Sequence, residues 1–526
     1  MDSSTLEQLL RPEAFSQPCD DAQLRETHIS WVILCGEFAY KIKKPVNFGF
    51  LDFSTLPLRR HFCEQELALN RRFVPELYLA VIAVTDDGSG PRFEGRGPVI
   101  DYAVKMRRFD ETLLLDNLAA RGELDRSLVR SLSREIAQQQ SRAPVCRPGP
   151  AASEPGSPAA LLAAIEQNFR QVRDYQLAPA QAEKLLAVEQ WTLQRYREQL
   201  PLLTRRAAEG LVIDGHGDAH LGNIALIDGA VRLFDCIEFN PALRIMDSIG
   251  EIAFLTMDLQ ARGHPGESHW LLADYLEYRG DYAGLALLNL YRCYFAMVRA
   301  KVALLRAPPQ QSSLEDTPAC ADFCRYLALA ASYCQRPGTF LAITHGVSGS
   351  GKSTVADKLV AAGGALRIRS DVERKRLFGL APEQRSEPAD ETRLYGSAMS
   401  RRTFARLEQL AEVALAAGFA VIVDATFLHR RSRDRFRLLA RHLDQPFAII
   451  DCEAPPQQLR ERVALRERAA QDASEAGVRV MESQLRVDEP LGDAELAYAM
   501  AADSGEDRDA LWSRLQLIAL PSSATA

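Results

Sequence analysis

The chain has 526 residues, 47% apolar and 25% charged, the proportions of an ordinary globular protein. Those proportions exclude a wholly disordered, collagen-like or coiled-coil polypeptide, and at roughly 150 residues per domain there is room for about three domains or two large ones. With 63 Lys and Arg against 70 Asp and Glu, the formal net charge of −7 argues against bulk electrostatic binding of nucleic acid. No apolar run approaches the ~20 residues of a membrane span. The start, Met1-Asp2-Ser3-Ser4-Thr5, lacks a basic and then hydrophobic region, so a cytoplasmic location is expected. The 10 Cys are then expected as reduced thiols. Cys320, Cys324 and Cys334 lie close together, but no nearby His or fourth Cys completes a metal site, so they are expected as free thiols.

In chain order, residues 29–34 and 38–43 predict two strands around Gly36, a hairpin by its spacing and turn residue. Residues 61–73 predict a helix, and 81–84 and 99–107 further strands. Pro and Gly crowd residues 143–160, a predicted loop. Helical sequence then dominates, over 161–175, 180–199 and 245–306, with a β-rich island at 212–234. A small β lobe, about residues 20–109, thus precedes a larger α lobe, about 110–305.

The β-rich island holds His216-Gly217-Asp218-Ala219-His220-Leu221-Gly222-Asn223, and after the next strand Leu233-Phe234-Asp235. Protein kinases use H-R-D-x-x-x-x-N followed by a metal-binding Asp, and the Asp-to-Asn spacing is the same here. Phosphoryl transfer needs one carboxylate to accept the hydroxyl proton, and an amide and a second carboxylate to hold Mg²⁺ against the phosphates. Asp218, Asn223 and Asp235 are assigned those roles. Glu238 is a weaker candidate near the metal, and His216 and His220 are read as shaping the loop. A kinase also needs a strand Lys for the α- and β-phosphates, braced by a helix Glu. Lys41 and Lys43 share a strand face, so alternation does not separate them. The helix offers Glu64 and Glu66, and Lys41 with Glu66 is the preferred pair. Residues 105–109 then run into the interlobe hinge, where adenine usually binds.

On these motifs, residues 20–305 resemble the aminoglycoside phosphotransferase-like branch of the protein-kinase fold. The resemblance implies an α+β two-lobed domain over 1–305 that phosphorylates a small hydroxylated molecule. His-Gly-Asp, with Gly where protein kinases have Arg, is typical of that branch. Two features depart from kinases at large: no G-x-G-x-x-G loop is present, and the Asp-Phe-Gly element reads Asp235-Cys236-Ile237.

Residues 306–337 read as a linker with a short helix near 320–334, and the rhythm then changes to alternating strand and helix. Strands are predicted at 340–344, 366–368, 420–423 and 447–450, and helices at 352–362 and 394–417. Such alternation implies an α/β domain with a parallel sheet over 338–526. Gly346-Val347-Ser348-Gly349-Ser350-Gly351-Lys352-Ser353 fits G-x-x-x-x-G-K-[ST] between a strand and a helix, a phosphate-binding P-loop. Its backbone amides, from Gly346 to Thr354, would surround phosphate oxygens of ATP; Lys352 would reach the β- and γ-phosphates and Ser353 would ligate Mg²⁺. Asp424 ends a strand where a carboxylate can meet the Mg²⁺ shell. Asp371 follows another strand and can accept the proton of the attacking hydroxyl. Arg462 and Arg466, one helical turn apart, can close over the nucleotide as a lid.

Residues 338–491 resemble the AAA-type P-loop kinases, which include small-molecule, zeta-toxin-like and polynucleotide 5′-kinases. The two-domain order resembles a bacterial family of bifunctional aminoglycoside phosphotransferase/ATP-binding proteins. The leading expectation is two independent ATP–Mg²⁺ sites, each phosphorylating a small-molecule hydroxyl. Two other readings stay open. One domain is catalytic and the other a nucleotide-binding regulatory or toxin-like module; or the C-terminal domain is a polynucleotide 5′-hydroxyl kinase, which the Arg-rich segments 369–376 and 430–441 permit and the acidic charge disfavours.

Overall fold

The structure, a computed structural model, describes residues 3–49, 51–305, 317–336, 338–469 and 473–519. Of the predicted linker over 306–337, residues 306–316 and 337 lie outside them. The chain forms two compact units: Met1–Ser131, Gln138–Gln171 and Tyr196–Asp258 make one, and Leu132–Ala137, Val172–Arg195 and Leu259–Ala526 the other. Among the described residues no helix is long and apolar enough to cross a membrane.

The first unit is built on a six-stranded antiparallel sheet. Its order is Gln23–Glu26, Ser30–Cys35, Phe38–Lys43, Val99–Arg107, Tyr78–Asp86 and Pro91–Phe93. The hairpin at Gly36 forms because its φ of +55° suits a residue without Cβ. Helix Leu56–Asn70 starts where Thr55 accepts a hydrogen bond from the Leu58 amide, with Pro57 in the first turn. That helix turns Cys63, Glu66 and Asn70 inward. These elements, followed by residues 216–223 and a helical part, constitute a protein-kinase-like fold.

Two local expectations change. Residues 245–247 were grouped with helical sequence, but Ile245–Asp247 is a strand, paired antiparallel with Val212–Asp214, which also pairs with Val145–Cys146 inside the predicted loop. Three residues are too short a stretch for periodicity to reveal a strand. The reading of every Cys as a free thiol is also corrected. Cys19 and Cys35 form a disulfide, because the chain before the first strand returns to the end of Ser30–Cys35 with a Cα–Cα separation of 5.6 Å. The other 8 are free. Gln181 donates to Cys324 Sγ at 3.1 Å, and no metal-binding cluster occurs among the described residues.

In the second unit the parallel sheet runs Leu366–Arg369, Val421–Asp424, Leu341–His345, Phe447–Asp451, Ala499–Ala501. Leu341–His345 is buried along its whole length, as a central parallel strand covered on both faces must be. Its C-terminal end enters the phosphate loop, and helix Lys352–Gly363 follows, closed by Gly364 in the left-handed region. Strand Ala499–Ala501 has no counterpart among the predicted elements. Helices Pro265–Arg279, Leu285–Leu305 and Pro318–Tyr333 belong to this unit too.

Candidate functional site

Two clusters of charged side chains emerge. In the first unit, alternation along Phe38–Lys43 sends Lys41 and Lys43 to the same face, and both meet Glu66. One carboxylate oxygen stands 2.7 Å from Lys41 Nζ, and the other accepts from Lys43 Nζ at 2.7 Å. Each ammonium has a second acid, Asp235 for Lys41 and Glu238 for Lys43. Burial opposes ionisation of Glu66, but the two lysines outweigh it and pull its pKa down to about 2. Burial likewise works against charged Lys41, yet Asp235 and Glu66 raise its pKa well above the usual lysine range. Burial lifts Glu238 despite Lys43 beside it. Glu64 points elsewhere, to exposed Arg60 at 2.9 Å.

Asp235 has a φ of +61°, uncommon without glycine. Its amide donates to the Tyr78 hydroxyl at 3.1 Å, and the Cys236 amide donates to Asn70 at 2.8 Å. Residues 216–223 are tied to this turn. His216 Nε2 lies 2.9 Å from the Phe234 carbonyl oxygen, and the Phe234 amide donates to the Asn223 carbonyl at 3.0 Å. Asn223 Nδ2 donates to both the carbonyl and the carboxylate of Asp218, each at 3.0 Å. His220 Nε2 stands 3.6 Å from the Asp218 carboxylate. Glu251, for which the sequence offered no signal, accepts from the amides of His216 and Gly217. A cavity of about 860 Å³ opens beside residues 107–112 and is also lined by Gly36, Phe38 and Leu79.

The second cluster lines a cavity of about 420 Å³ around the phosphate loop. Ser348, Gly349, Gly351, Lys352, Ser353 and Thr354 form one wall; Asp371, Asp424, Arg462 and Arg466 complete it. Gly346 and Ser350 are not among the lining residues. A Cβ on Gly346 would stand 2.2 Å from the Cys452 carbonyl oxygen, so glycine is needed there for packing as well as for its φ of +127°. Lys352 folds back and donates to the Val347 carbonyl at 2.7 Å. Burial lowers its pKa, against the pull of Asp424. The Ser348 amide donates to Gln484, at 2.8 Å. Asp424 Oδ2 is buried with no hydrogen-bond partner among the described residues, and Arg369 Nε lies 3.9 Å away. Arg462 donates to the Gly349 carbonyl at 3.3 Å and Arg466 to the Ala476 carbonyl at 2.7 Å.

Several lining residues escaped sequence reading as site residues. Arg369 and Arg374 were seen only as parts of a basic segment; the i, i+3 spacing of Asp371 and Arg374 was the available signal. Tyr395 and Gln484 gave none, because Tyr395 comes from the bend between helices Glu391–Leu394 and Ser397–Ala416 and Gln484 from helix Val478–Val487. Behind the loop, His345 lies between Asp451 at 2.7 Å and Asp488 at 3.3 Å.

Residues 341–491 match the AAA domain family. The chain therefore carries a C-terminal AAA-type P-loop domain after its protein-kinase-like region. It is 29% identical over 451 residues to an uncharacterized protein of Mycobacterium tuberculosis, covering 86% of this chain and 87% of that one. Among solved structures, a choline/ethanolamine kinase family protein from Mesorhizobium loti is 12% identical, covering 63% of this chain and 99% of that one, with a TM-score of 0.36. A sugar kinase from a Janibacter species is 23% identical, covering 36% and 99%, with a TM-score of 0.27.

Proposed function

We propose that the chain is a cytoplasmic phosphotransferase with two separate nucleotide sites, each passing the γ-phosphoryl group of ATP to a hydroxyl of a small molecule. The division that accompanies this reading is a kinase-like domain over 1–305, a linker over 306–337 and a P-loop domain over 338–526. One observation carries it: a single cavity is lined at once by Lys352, Ser353, Asp371, Asp424 and two mobile-length arginines, Arg462 and Arg466. Phosphoryl transfer asks for these groups and little covalent chemistry besides.

The residues fit a magnesium nucleotide. Asp424 Oδ2, buried and without a hydrogen-bond partner among the described residues, belongs to a side chain that lines the same cavity as Lys352 and Ser353. Ser353 and Asp424 would hold Mg²⁺, whose charge, when bound, offsets that of the phosphates. Lys352 exchanges the Val347 carbonyl for phosphate oxygens. Asp371 takes the proton of the acceptor hydroxyl as its oxygen bonds to the γ-phosphorus. The bond from that phosphorus to the β,γ-bridging oxygen breaks, and its electron pair leaves with ADP. In the N-terminal domain Asp218 takes the equivalent proton, Asn223 and Asp235 would hold the metal, and Lys41, braced by Glu66, meets the phosphates.

The test uses the full chain with γ-labelled ATP and a panel of sugars, aminoglycosides, nucleosides and oligonucleotides. Lys352→Ala and Asp218→Ala should each remove one transfer activity and leave the other. Undiminished transfer in both variants would overturn the reading. Nucleotide binding at the N-terminal site without any transfer that Asp218→Ala removes would make that domain regulatory instead.

A further inference from the structure

Strand Leu366–Arg369 is buried along its whole length, yet it carries two arginines, Arg367 and Arg369. Alternation sends both to one face. Burying a guanidinium is costly unless carboxylates meet it. Here the acids come from several elements. Arg367 donates to Asp357 at 3.1 Å, on the helix that follows the phosphate loop, and to Glu277 Oε1 at 2.9 Å, across 90 residues of chain. The other carboxylate oxygen of Glu277 lies 3.7 Å from Arg369 Nη1. Glu277 is wholly buried. Its carboxylate is thus shared by two cations of one strand, the arrangement that Glu66 forms with Lys41 and Lys43.

Glu277 does not belong to the sequence that resembles P-loop kinases. It lies near the end of helix Pro265–Arg279, which is part of the same compact unit as the parallel sheet. That helix is fastened to its neighbours by hydrogen bonds. Trp270 Nε1 donates to the Asp357 carbonyl at 3.0 Å, His269 Nδ1 lies 3.2 Å from the Ala361 carbonyl oxygen, and Arg376 donates to the carbonyls of Leu276 and Glu277. From there Glu277 reaches Arg369, a lining residue of the phosphate-loop cavity. Arg369 is in turn the register partner of Asp424 on the adjacent parallel strand. Its guanidinium is divided between the two acids: Nη1 faces Glu277, and Nε lies 3.9 Å from Asp424 Oδ2, which accepts no hydrogen bond among the described residues. An arginine beside a buried carboxylate commonly closes on it as a bidentate pair. The opposing pull of Glu277 accounts for the open gap.

We infer that Glu277 is a positioning residue of the phosphate-loop site: it holds Arg369 back from Asp424 and so keeps that carboxylate available to Mg²⁺. This rests on the kinase reading of the same cavity and adds to it a part supplied from outside the P-loop sequence. Without the charge of Glu277 the attraction on Arg369 is one-sided. The guanidinium closes on Asp424, and a metal ion must then displace a charge-assisted pair before it binds. Nucleotide without metal faces the opposite change. Removing an acid beside the cavity leaves it more positive, which favours a bare triphosphate. A damaged fold weakens both kinds of binding, whereas lost positioning separates them.

The test is equilibrium dialysis of the full chain with a labelled non-hydrolysable ATP analogue, once across a Mg²⁺ titration and once with EDTA in its place. The phosphate-loop component is the binding that Lys352→Ala removes in each background. In Glu277→Gln, the Mg²⁺ concentration that half-saturates this component should rise about tenfold or more, the scale of one charge-assisted hydrogen bond, while its metal-free affinity holds or increases. Glu277→Asp keeps the charge and should recover part of the shift. Adding Arg369→Gln to Glu277→Gln should restore the wild-type Mg²⁺ requirement, because the competitor for Asp424 is gone. Asp274→Asn takes a buried acid 3.8 Å from Arg367 off the same helix and should leave the requirement unchanged. An unchanged requirement in Glu277→Gln, equal weakening with and without metal, or a double variant no better than the single one would overturn the inference. Should Glu277→Gln fail to fold, Arg369→Gln alone decides: its Mg²⁺ requirement should fall, and a requirement that holds or rises would refute the positioning role. Failure of the kinase reading looks different, since Lys352→Ala would then remove no nucleotide binding.

Discussion

Glu66 offers the sharpest test of how the N-terminal cluster is held. It is fully buried and shared by two buried ammonium groups, Lys41 and Lys43. Replacing it with glutamine keeps the shape and removes the charge. Stripping one partner from a buried ion pair costs about 3–5 kcal/mol. Here each lysine retains another carboxylate, Asp235 or Glu238, so the lower end, about 3 kcal/mol, is expected for Glu66→Gln. The readout is native-state hydrogen exchange of the strand Phe38–Lys43 in the full chain, which reports local stability without assuming that both units unfold together. A loss of that size speeds exchange by about two decades. Glu64→Gln, two residues away and facing exposed Arg60, should leave exchange unchanged. The pH dependence follows from the same contacts. The folded carboxyl sits near 2 against an ordinary 4.5, so the unfolded chain takes up its proton first. The stabilisation is complete above about pH 4.5 and drains away as pH falls toward 2. Acceleration below tenfold, or an equal effect of Glu64→Gln, would refute the shared-carboxylate picture.

Two further substitutions probe other parts of the molecule. His269, buried against the Ala361 carbonyl oxygen at 3.2 Å, is pushed down to about 4 by that burial. Protonation of the unfolded chain near pH 6.5 therefore erodes stability as pH falls from about 6.5 through 4; His269→Gln should flatten the pH–stability curve in that window by up to one proton, measured by urea unfolding. Gly217 has a φ of +82°, and a Cβ there would lie 2.7 Å from Arg244 Cβ and 2.8 Å from the Leu243 carbonyl oxygen. Gly217→Ala should displace Asp218 and lower any Asp218-dependent transfer by about 100-fold, with Lys352-dependent transfer unaffected, as labelled-phosphate assays would show.

The degree to which this was legible in sequence depends on how local each constraint is. The phosphate loop is local: glycines, a lysine and a hydroxyl occupy consecutive positions, and their meaning survives without knowing what packs nearby. The catalytic-loop segment is nearly so, because Asp218 and Asn223 meet within five residues. Lys41 and Lys43 could not be ranked because strand alternation puts them on one face, and Glu66 in fact binds both. Glu66 over Glu64 is settled by the helix face it shares with Cys63 and Asn70, three and four residues away, a pattern a 3.6-residue period contains. What sequence withheld was long-range. The parallel sheet sets Leu341–His345 between strands from 80 and more than 100 residues later, so His345 finds Asp451 and the Ser348 amide finds Gln484 across gaps that periodicity does not measure. Tyr395 reaches Arg374 in the same way. The groups proposed to carry the chemistry thus sit in motifs, whereas those proposed to position them are gathered from separate elements, and this is why a phosphotransferase can be read from such a chain before the contacts that hold its sites can.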